Sequence, residues 1–222
     1  MDASPDLAAH RLAAVIASIA RAARSIGRDP AVIELVAISK TWEPDAIVPL
    51  IAAGQRSFGE NRVGEAQAKW PALIAATPDI RLHLVGQLQS NKVAEAVALF
   101  DVIHSVDRPS LITALGKAMA AGKRPECYIQ VNIGAEPQKA GCAIADLPAI
   151  LGASRAAGLP IVGLMCVPPA DIEAAPFFAL LAELAKRHDL TRLSMGMSGD
   201  YETAAMLGAT VVRVGSALFG PR

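Results

Sequence analysis

A lysine that closes an apolar run is the first residue of this chain with a reason to do chemistry. Leu35-Val36-Ala37-Ile38-Ser39 leads directly into Lys40, and the two-residue period of a strand puts Lys40 on the face of Val36 and Ile38. Where such a face points into a packed interior, burial disfavours the ammonium form and leaves an amine nucleophile suited to imine chemistry. Most lysines instead lay their stems along apolar surface and keep the charge in water, so the position calls for corroboration. Three features near the other end of the chain supply it. Gly196-Met197-Ser198-Gly199-Asp200 follows a short apolar run and opens onto a helical pattern from Tyr201. Ser198 brings a hydroxyl there, and the helix start brings free N–H groups and a positive dipole end suited to an anion. Gly215-Ser216-Ala217 is a second small-residue turn with exposed amides, and Arg213 interrupts Val211-Val212-Arg213-Val214. A buried guanidinium needs a partner, most often a carboxylate.

The elements that must carry these residues alternate along the chain. Apolar runs of strand length stand at Leu35–Ser39, Arg56–Phe58, Leu82–Val85, Val102–Ser105, Cys127–Ile133, Ile161–Cys166, Arg192–Met195 and Thr210–Val214. Between them, Asp45–Ala53, Gly64–Ala76, Lys92–Phe100, Ser110–Ala121, Ala145–Ala157, Ala174–His188 and Tyr201–Leu207 are apolar at helical spacing and are punctuated by Gly or Pro. Ahead of the first run, Ser4 can cap a helix that starts at Pro5 and keeps Leu12, Val15, Ile19 and Ile26 on one stripe. Eight strands alternating with helices predict a parallel sheet with right-handed crossovers. The open doubly wound alternative carries a glycine-rich fingerprint early in the chain, and none stands here. The expectation is an α/β protein, a (β/α)8 TIM-type barrel with an extra N-terminal helix, forming one domain over residues 1–222.

In such a barrel the chemistry sits at the C-terminal strand ends, with phosphate held by the loops after strands 7 and 8. Lys40 ends strand 1, and the two small-residue turns follow strands 7 and 8. An imine-forming lysine beside a phosphate site points to pyridoxal 5′-phosphate (PLP), and Arg213 could then face the pyridine nitrogen. Because arginine only donates, that nitrogen would stay unprotonated and the ring would be a weak electron sink. Composition narrows the field further. The 21 basic and 21 acidic residues balance, which argues against nucleic acid as a partner. No apolar run reaches the roughly 20 residues of a membrane span. The three cysteines, Cys127, Cys142 and Cys166, form no zinc spacing, so no metal is expected, and their sparse odd count fits a reducing, cytoplasmic address.

With these residues assembled, the sequence resembles the pyridoxal phosphate homeostasis protein family from about Leu35 onward. The matching stretches include Val36-Ala37-Ile38-Ser39-Lys40-Thr41, Phe58-Gly59-Glu60-Asn61-Arg62-Val63, and His83-Leu84-Val85-Gly86 through Gln89-Ser90-Asn91-Lys92. Further matches are His104-Ser105-Val106-Asp107-Arg108, Val131-Asn132-Ile133, Glu136-Pro137-Gln138-Lys139-Ala140-Gly141, Leu193-Ser194-Met195-Gly196-Met197-Ser198 and Val212-Arg213-Val214-Gly215-Ser216-Ala217-Leu218-Phe219-Gly220. Gln87 and Trp42-Glu43-Pro44 depart from the usual pattern without touching the imine or phosphate positions. The family is itself similar to the N-terminal barrel of alanine racemases. The resemblance implies a Schiff base on Lys40, with Ser198, Gly199, Gly215 and Ser216 around the phosphate. It also implies Arg213 at the pyridine nitrogen and Asn61 near the cofactor. The implied role is a PLP carrier or regulator of vitamin B6 pools without efficient catalysis, with apo-enzymes that need PLP as candidate recipients.

A PLP-dependent racemase-like enzyme is the alternative, and a lysine-dependent aldolase a more distant one. Racemases of this kind add a second, β-rich domain that covers the cofactor and supplies a base. Pro221-Arg222 follows the last strand directly, so the expectation is an open site on a monomer, without catalytic residues. Tyr128 is expected away from the active face and Tyr201 in the phosphate loop or in packing. His83 and His104, the latter at the end of strand 4, are expected as hydrogen-bonded core histidines or proton-transfer groups. Lys92 is expected in solvent, and Lys139 either solvated, the usual case, or attracting an anionic ligand.

Overall fold

A computed structural model of the protein describes residues 5–120 and 122–220; the expected cap at Ser4 lies outside them, as do Ala121 and the tail Pro221-Arg222. Eight parallel strands close in sequence order into a barrel: β1 (Glu34–Ile38), β2 (Ser57–Glu60), β3 (Arg81–Leu84), β4 (Val102–Val106), β5 (Glu126–Gln130), β6 (Ile161–Met165), β7 (Arg192–Ser194) and β8 (Val211–Val214). Helix α1 (Pro5–Ser25) precedes the barrel. The crossover helices are α2 (Pro44–Ala52), α3 (Val63–Ala76), α4 (Val93–Leu99), α5 (Pro109–Met119), α6 (Leu147–Ala156), α7 (Ala175–Arg187) and α8 (Tyr201–Met206). The fold is the expected α/β barrel with its extra N-terminal helix.

Strand alternation explains where the core sits. Ala37, Phe58, Leu82, Ile103, Val212 and Val214 point outward and pack under the helices in the larger core. Val36, Val102, Tyr128, Met165 and Val211 point inward and fill the barrel together with Ile38. Burying six to twelve such side chains at roughly 1.5–3 kcal/mol each outweighs any single polar contact in the sheet. Helix α1 lays Leu12, Val15, Ile19 and Ala23 against that outer core. Its following turn sends the Arg28 guanidinium to the carbonyls of Ala205 (2.5 Å) and Ala209 (3.0 Å), which finishes the C-terminal end of α8.

Some boundaries differ from expectation. Strand β2 runs on to Gly59 and Glu60, which apolar patterning misses because Glu60 is a carboxylate, although fully buried. Strand β5 stops at Gln130, and Val131 continues only as an isolated bridge to Cys142. His104 lies within β4 rather than at its end. A further short helix, α9 (Ser216–Phe219), forms where only a turn was expected. Among the described residues no helix is long and apolar enough to cross a membrane.

Candidate functional site

The register of the sheet decides which residues meet at the C-terminal mouth. Val36 pairs with Arg213, and Ala37 with Val214, so Lys40 and the end of β8 emerge side by side. The loop that carries Lys40 is tightly held. The Ser39 N–H donates to the Gly59 carbonyl at 3.0 Å, and Thr41, at φ 65°, donates its N–H to Glu65 Oε1. A left-handed φ is costly for a β-branched residue, so the surroundings must enforce it. Lys69 does so from α3: its ammonium donates to the carbonyls of Ser39 and Trp42, both at 3.0 Å. That ammonium is itself buried and lies 2.8 Å from the fully buried Glu60 Oε1. The same oxygen accepts from Ser39 Oγ at 2.7 Å and Trp70 Nε1 at 2.9 Å, while Oε2 has no partner among the described residues. A buried ion pair of this kind is worth little against an apolar pair but is costly to break on one side. Sequence reasoning missed it. The four-residue step from Glu65 to Lys69 reads as an ordinary surface pair.

Across the mouth, the chain leaves β7 through Gly196 at φ 92°. A Cβ there would come within 2.5 Å of the Ala204 Cβ and 3.1 Å of the Tyr201 Cα, so only glycine permits the turn to sit this close to α8. The turn brings Ser198 Oγ to 3.1 Å from the Gly215 N–H, which donates to it. That bond ties together the two small-residue turns picked out in the sequence and leaves the Ser198 hydroxyl proton available. Trp42, on the lysine loop, stacks on Phe219 of α9 with centroids 5.5 Å apart and planes at 16°. The result is a cavity of about 470 Å³ whose wall includes Lys40, Trp42, Ser198, Gly199, Arg213, Gly215 and Ser216. Six of the seven residues expected around a cofactor therefore share one cavity. Lys40 is half-buried at its wall and is not the fully desolvated ammonium that an inward strand position would produce.

Asn61 is the exception. It lines a second cavity of about 410 Å³, with Arg62, Gly86, Gln87, Gln89 and Lys92 over the ends of β2 and β3. A Cβ on Gly86 would lie 2.2 Å from the Asn61 carbonyl oxygen, so the two strand ends are pressed together there.

Arg213 is buried, and burial pulls its pKa below the ordinary arginine value. The expected carboxylate partner is absent among the described residues. Instead Nη1 donates to Ser194 Oγ at 2.7 Å and Nη2 to the Cys166 carbonyl at 2.8 Å. Ser194 in turn lies 2.8 Å from His104 Nδ1, and His104 Nε2 lies 3.0 Å from His83 Nδ1. Both histidines are thus hydrogen-bonded core residues. Tyr128, with His104, fills the barrel interior, and burial raises its hydroxyl to about 12. Lys139 is tied down by Glu136 at 2.6 Å and by the Pro168 carbonyl at 2.9 Å, and Lys92 pairs with Glu95 at 3.0 Å. Neither is simply solvated. The thiols of Cys127, Cys142 and Cys166 are free and buried, which pushes each up to about 12.

The profile of the family "Alanine racemase, N-terminal domain" matches residues 11–222. The pyridoxal phosphate homeostasis protein of Pseudomonas aeruginosa is 42% identical over 221 residues, covering 96% of this chain and 95% of that protein. The chain belongs to the pyridoxal phosphate homeostasis protein family. Among solved structures, PipY of Synechococcus elongatus with PLP bound is 40% identical at a TM-score of 0.80, covering 96% of this chain and all of that one (100%). Alanine racemase from Corynebacterium glutamicum shares the fold alone, at 18% identity and a TM-score of 0.68. This family member spans 60% of that longer chain.

Proposed function

We propose that the protein binds PLP through a Schiff base on Lys40 and serves intracellular PLP homeostasis as a carrier or regulator without efficient catalysis. The observation that carries this reading is the convergence of an unpaired amine, a guanidinium and two phosphate-type turns on one cavity. Lys40 would hold the cofactor covalently through its side-chain amine, the aldehyde oxygen leaving as water. Ser198, Gly199, Gly215 and Ser216 hold the phosphate, since small residues let backbone amides approach it. Arg213, fixed by Ser194 and Cys166, would face the ring nitrogen and, as a donor only, would leave it unprotonated. PLP itself supplies an electrophilic aldehyde and an electron sink, and an arginine partner weakens the second. Residence of PLP in a homologue with 40% identity over 96% of this chain supports the same assignment.

Two features favour holding over turnover. Among the described residues lining the cavity, Lys40 and Arg213 are the titratable groups, so no carboxylate, histidine or tyrosine stands ready as a second proton-transfer group. Efficient racemisation needs one on each face of the substrate. The buried free thiols also accord with a reducing, cytoplasmic setting. Asn61 contributes from the neighbouring cavity at the rim, and apo-enzymes that need PLP are the natural recipients of the cargo.

A visible absorption spectrum with and without added PLP, on wild type and Lys40→Ala, tests the reading. The expected result is a band from the covalently held cofactor in wild type and its complete loss in the variant, with residual phosphate-driven affinity retained. An unchanged band in Lys40→Ala would remove the lysine from its role. A racemase-level rate on a free amino acid would overturn the carrier reading.

A further inference from the structure

Five polar side chains stand in line through the barrel: Arg213 at the mouth, then Ser194, His104 and His83, and finally Glu34 at the first position of β1. The spacings are 2.7 Å from Arg213 Nη1 to Ser194 Oγ, 2.8 Å from Ser194 Oγ to His104 Nδ1, 3.0 Å from His104 Nε2 to His83 Nδ1, and 3.3 Å from His83 Nε2 to Glu34 Oε1. Ser194, His104 and His83 are fully buried. The ring of Tyr128 stacks on His104, with centroids 4.6 Å apart and planes at 17°.

The two ends of the line are chemically opposite. A guanidinium has donors and no acceptor, and an ionised carboxylate has acceptors and no donor. Arg213 therefore donates to Ser194, whose single hydroxyl proton goes on to His104 Nδ1. That nitrogen is then an acceptor, so the His104 proton sits on Nε2 and faces His83 Nδ1. The same step leaves the His83 proton on Nε2, facing Glu34. In this order each donor faces an acceptor, the outermost pair, His83 Nε2 and Glu34 Oε1 at 3.3 Å, being a close approach outside hydrogen-bond geometry, and both rings are neutral.

The opposite order needs His83 as an imidazolium. His104 would then donate to Ser194 through Nδ1, and Ser194 would receive two donors while its own proton found no acceptor in the line. A second positive charge would also share the interior with Arg213. Burial, with His83, Arg213 and Arg81 adding to it, holds His104 well below the usual histidine range, consistent with a neutral ring.

We propose that Glu34, His83, His104 and Ser194 are positioning residues, a one-way hydrogen-bond line that fixes Arg213 toward the ring nitrogen of PLP. The part concerning PLP rests on the function proposed above; the proton order within the line does not. The line gives the N-terminal end of the barrel a hold on the geometry of the mouth, through groups that never touch the ligand.

The test begins with the full chain, labelled with ¹⁵N in its four histidines, at pH 8 without PLP. His10→Gln and His188→Gln assign the remaining two signals. The expected result is a neutral, Nε2-protonated tautomer for both His83 and His104. Glu34→Gln puts a group that can donate or accept at the end of the line, so both rings should become tautomer mixtures. In the second arm, Ser194→Ala should speed PLP release about tenfold and move the visible absorption maximum, with Ser194→Thr restoring both. A proton on His104 Nδ1, or an imidazolium at His83, overturns the line. Correct tautomers with unchanged PLP release and spectrum in Ser194→Ala overturn the positioning role. If wild type gives no PLP band at all, the cofactor reading fails and the positioning role with it, while the tautomers still judge the line.

Discussion

The two ends of the barrel handle charge in opposite ways. At the N-terminal end, Glu126 lies between Arg81 and Arg192, bonding the latter at 2.7 Å, and Glu34 accepts from Ser57 Oγ at 2.6 Å. Charges there consume one another. At the C-terminal mouth, Lys40 makes no ion pair among the described residues, and the cavity wall carries Lys40 and Arg213 with no carboxylate to balance them. The floor is closed by its own ion pairs, whereas the mouth leaves its positive groups for an anionic ligand to complete. A pocket that ends with a surplus of donors and positive charge is organised for binding, and a surface that ends neutral is organised for stability.

The contrast can be broken from either end. The largest effect is expected at Lys69, whose ammonium holds the lysine loop while pairing with buried Glu60. Lys69→Met strands the Glu60 carboxylate and should cost about 3 kcal/mol in urea unfolding, and it should also weaken PLP retention because Ser39 and Trp42 lose their tether. A loss under about 1 kcal/mol would show that the pair contributes little.

At the floor, burial alone would raise the Glu34 pKa. The N–H of His83, the hydroxyl of Ser57 and the charge of Arg81 oppose it, and the group is held down at about 2, against an ordinary 4.5. A carboxyl depressed on folding adds stability that is fully present above its unfolded value and is lost as pH falls through its folded one. Glu34→Gln should therefore cost about 2 kcal/mol at pH 7. The gap should close between pH 4.5 and 2 in parallel melts. A gap independent of pH would assign the loss to shape instead of charge.

The smallest effect sharpens the comparison. Lys40→Ala removes a half-buried, unpaired cation and should change apo stability by no more than about 0.5 kcal/mol. A large loss would mean that the mouth, like the floor, is built for stability.

Much of the fold was legible because its signals are local. Apolar runs of strand length, helical spacing and Gly or Pro punctuation mark eight units, and barrel geometry then predicts where Lys40, Ser198 and Gly215 must gather. Errors fell where a residue's type and its burial disagree. Glu60 is a carboxylate inside the core, so β2 looked shorter than it is. Arg213 admits two readings in the sequence, a salt bridge and a partner for the pyridine nitrogen, and its hydroxyl and carbonyl partners on β7 and just beyond β6 set aside the first. Asn61 matches a family motif, and only the structure shows that it lines a second cavity, where the ends of β2 and β3 press together at Gly86.

The order of elements, the lysine at a strand end and the two small-residue turns were determined by the sequence alone, since each depends on neighbours within a few residues. Tertiary structure decided the rest. The Glu60–Lys69 pair joins two consecutive elements through a burial no local pattern shows. The line from Glu34 to Arg213 links β1, β3, β4, β7 and β8 across the barrel interior. A two-residue period says which face a side chain takes. Only closure of the sheet in one register says which residues meet inside.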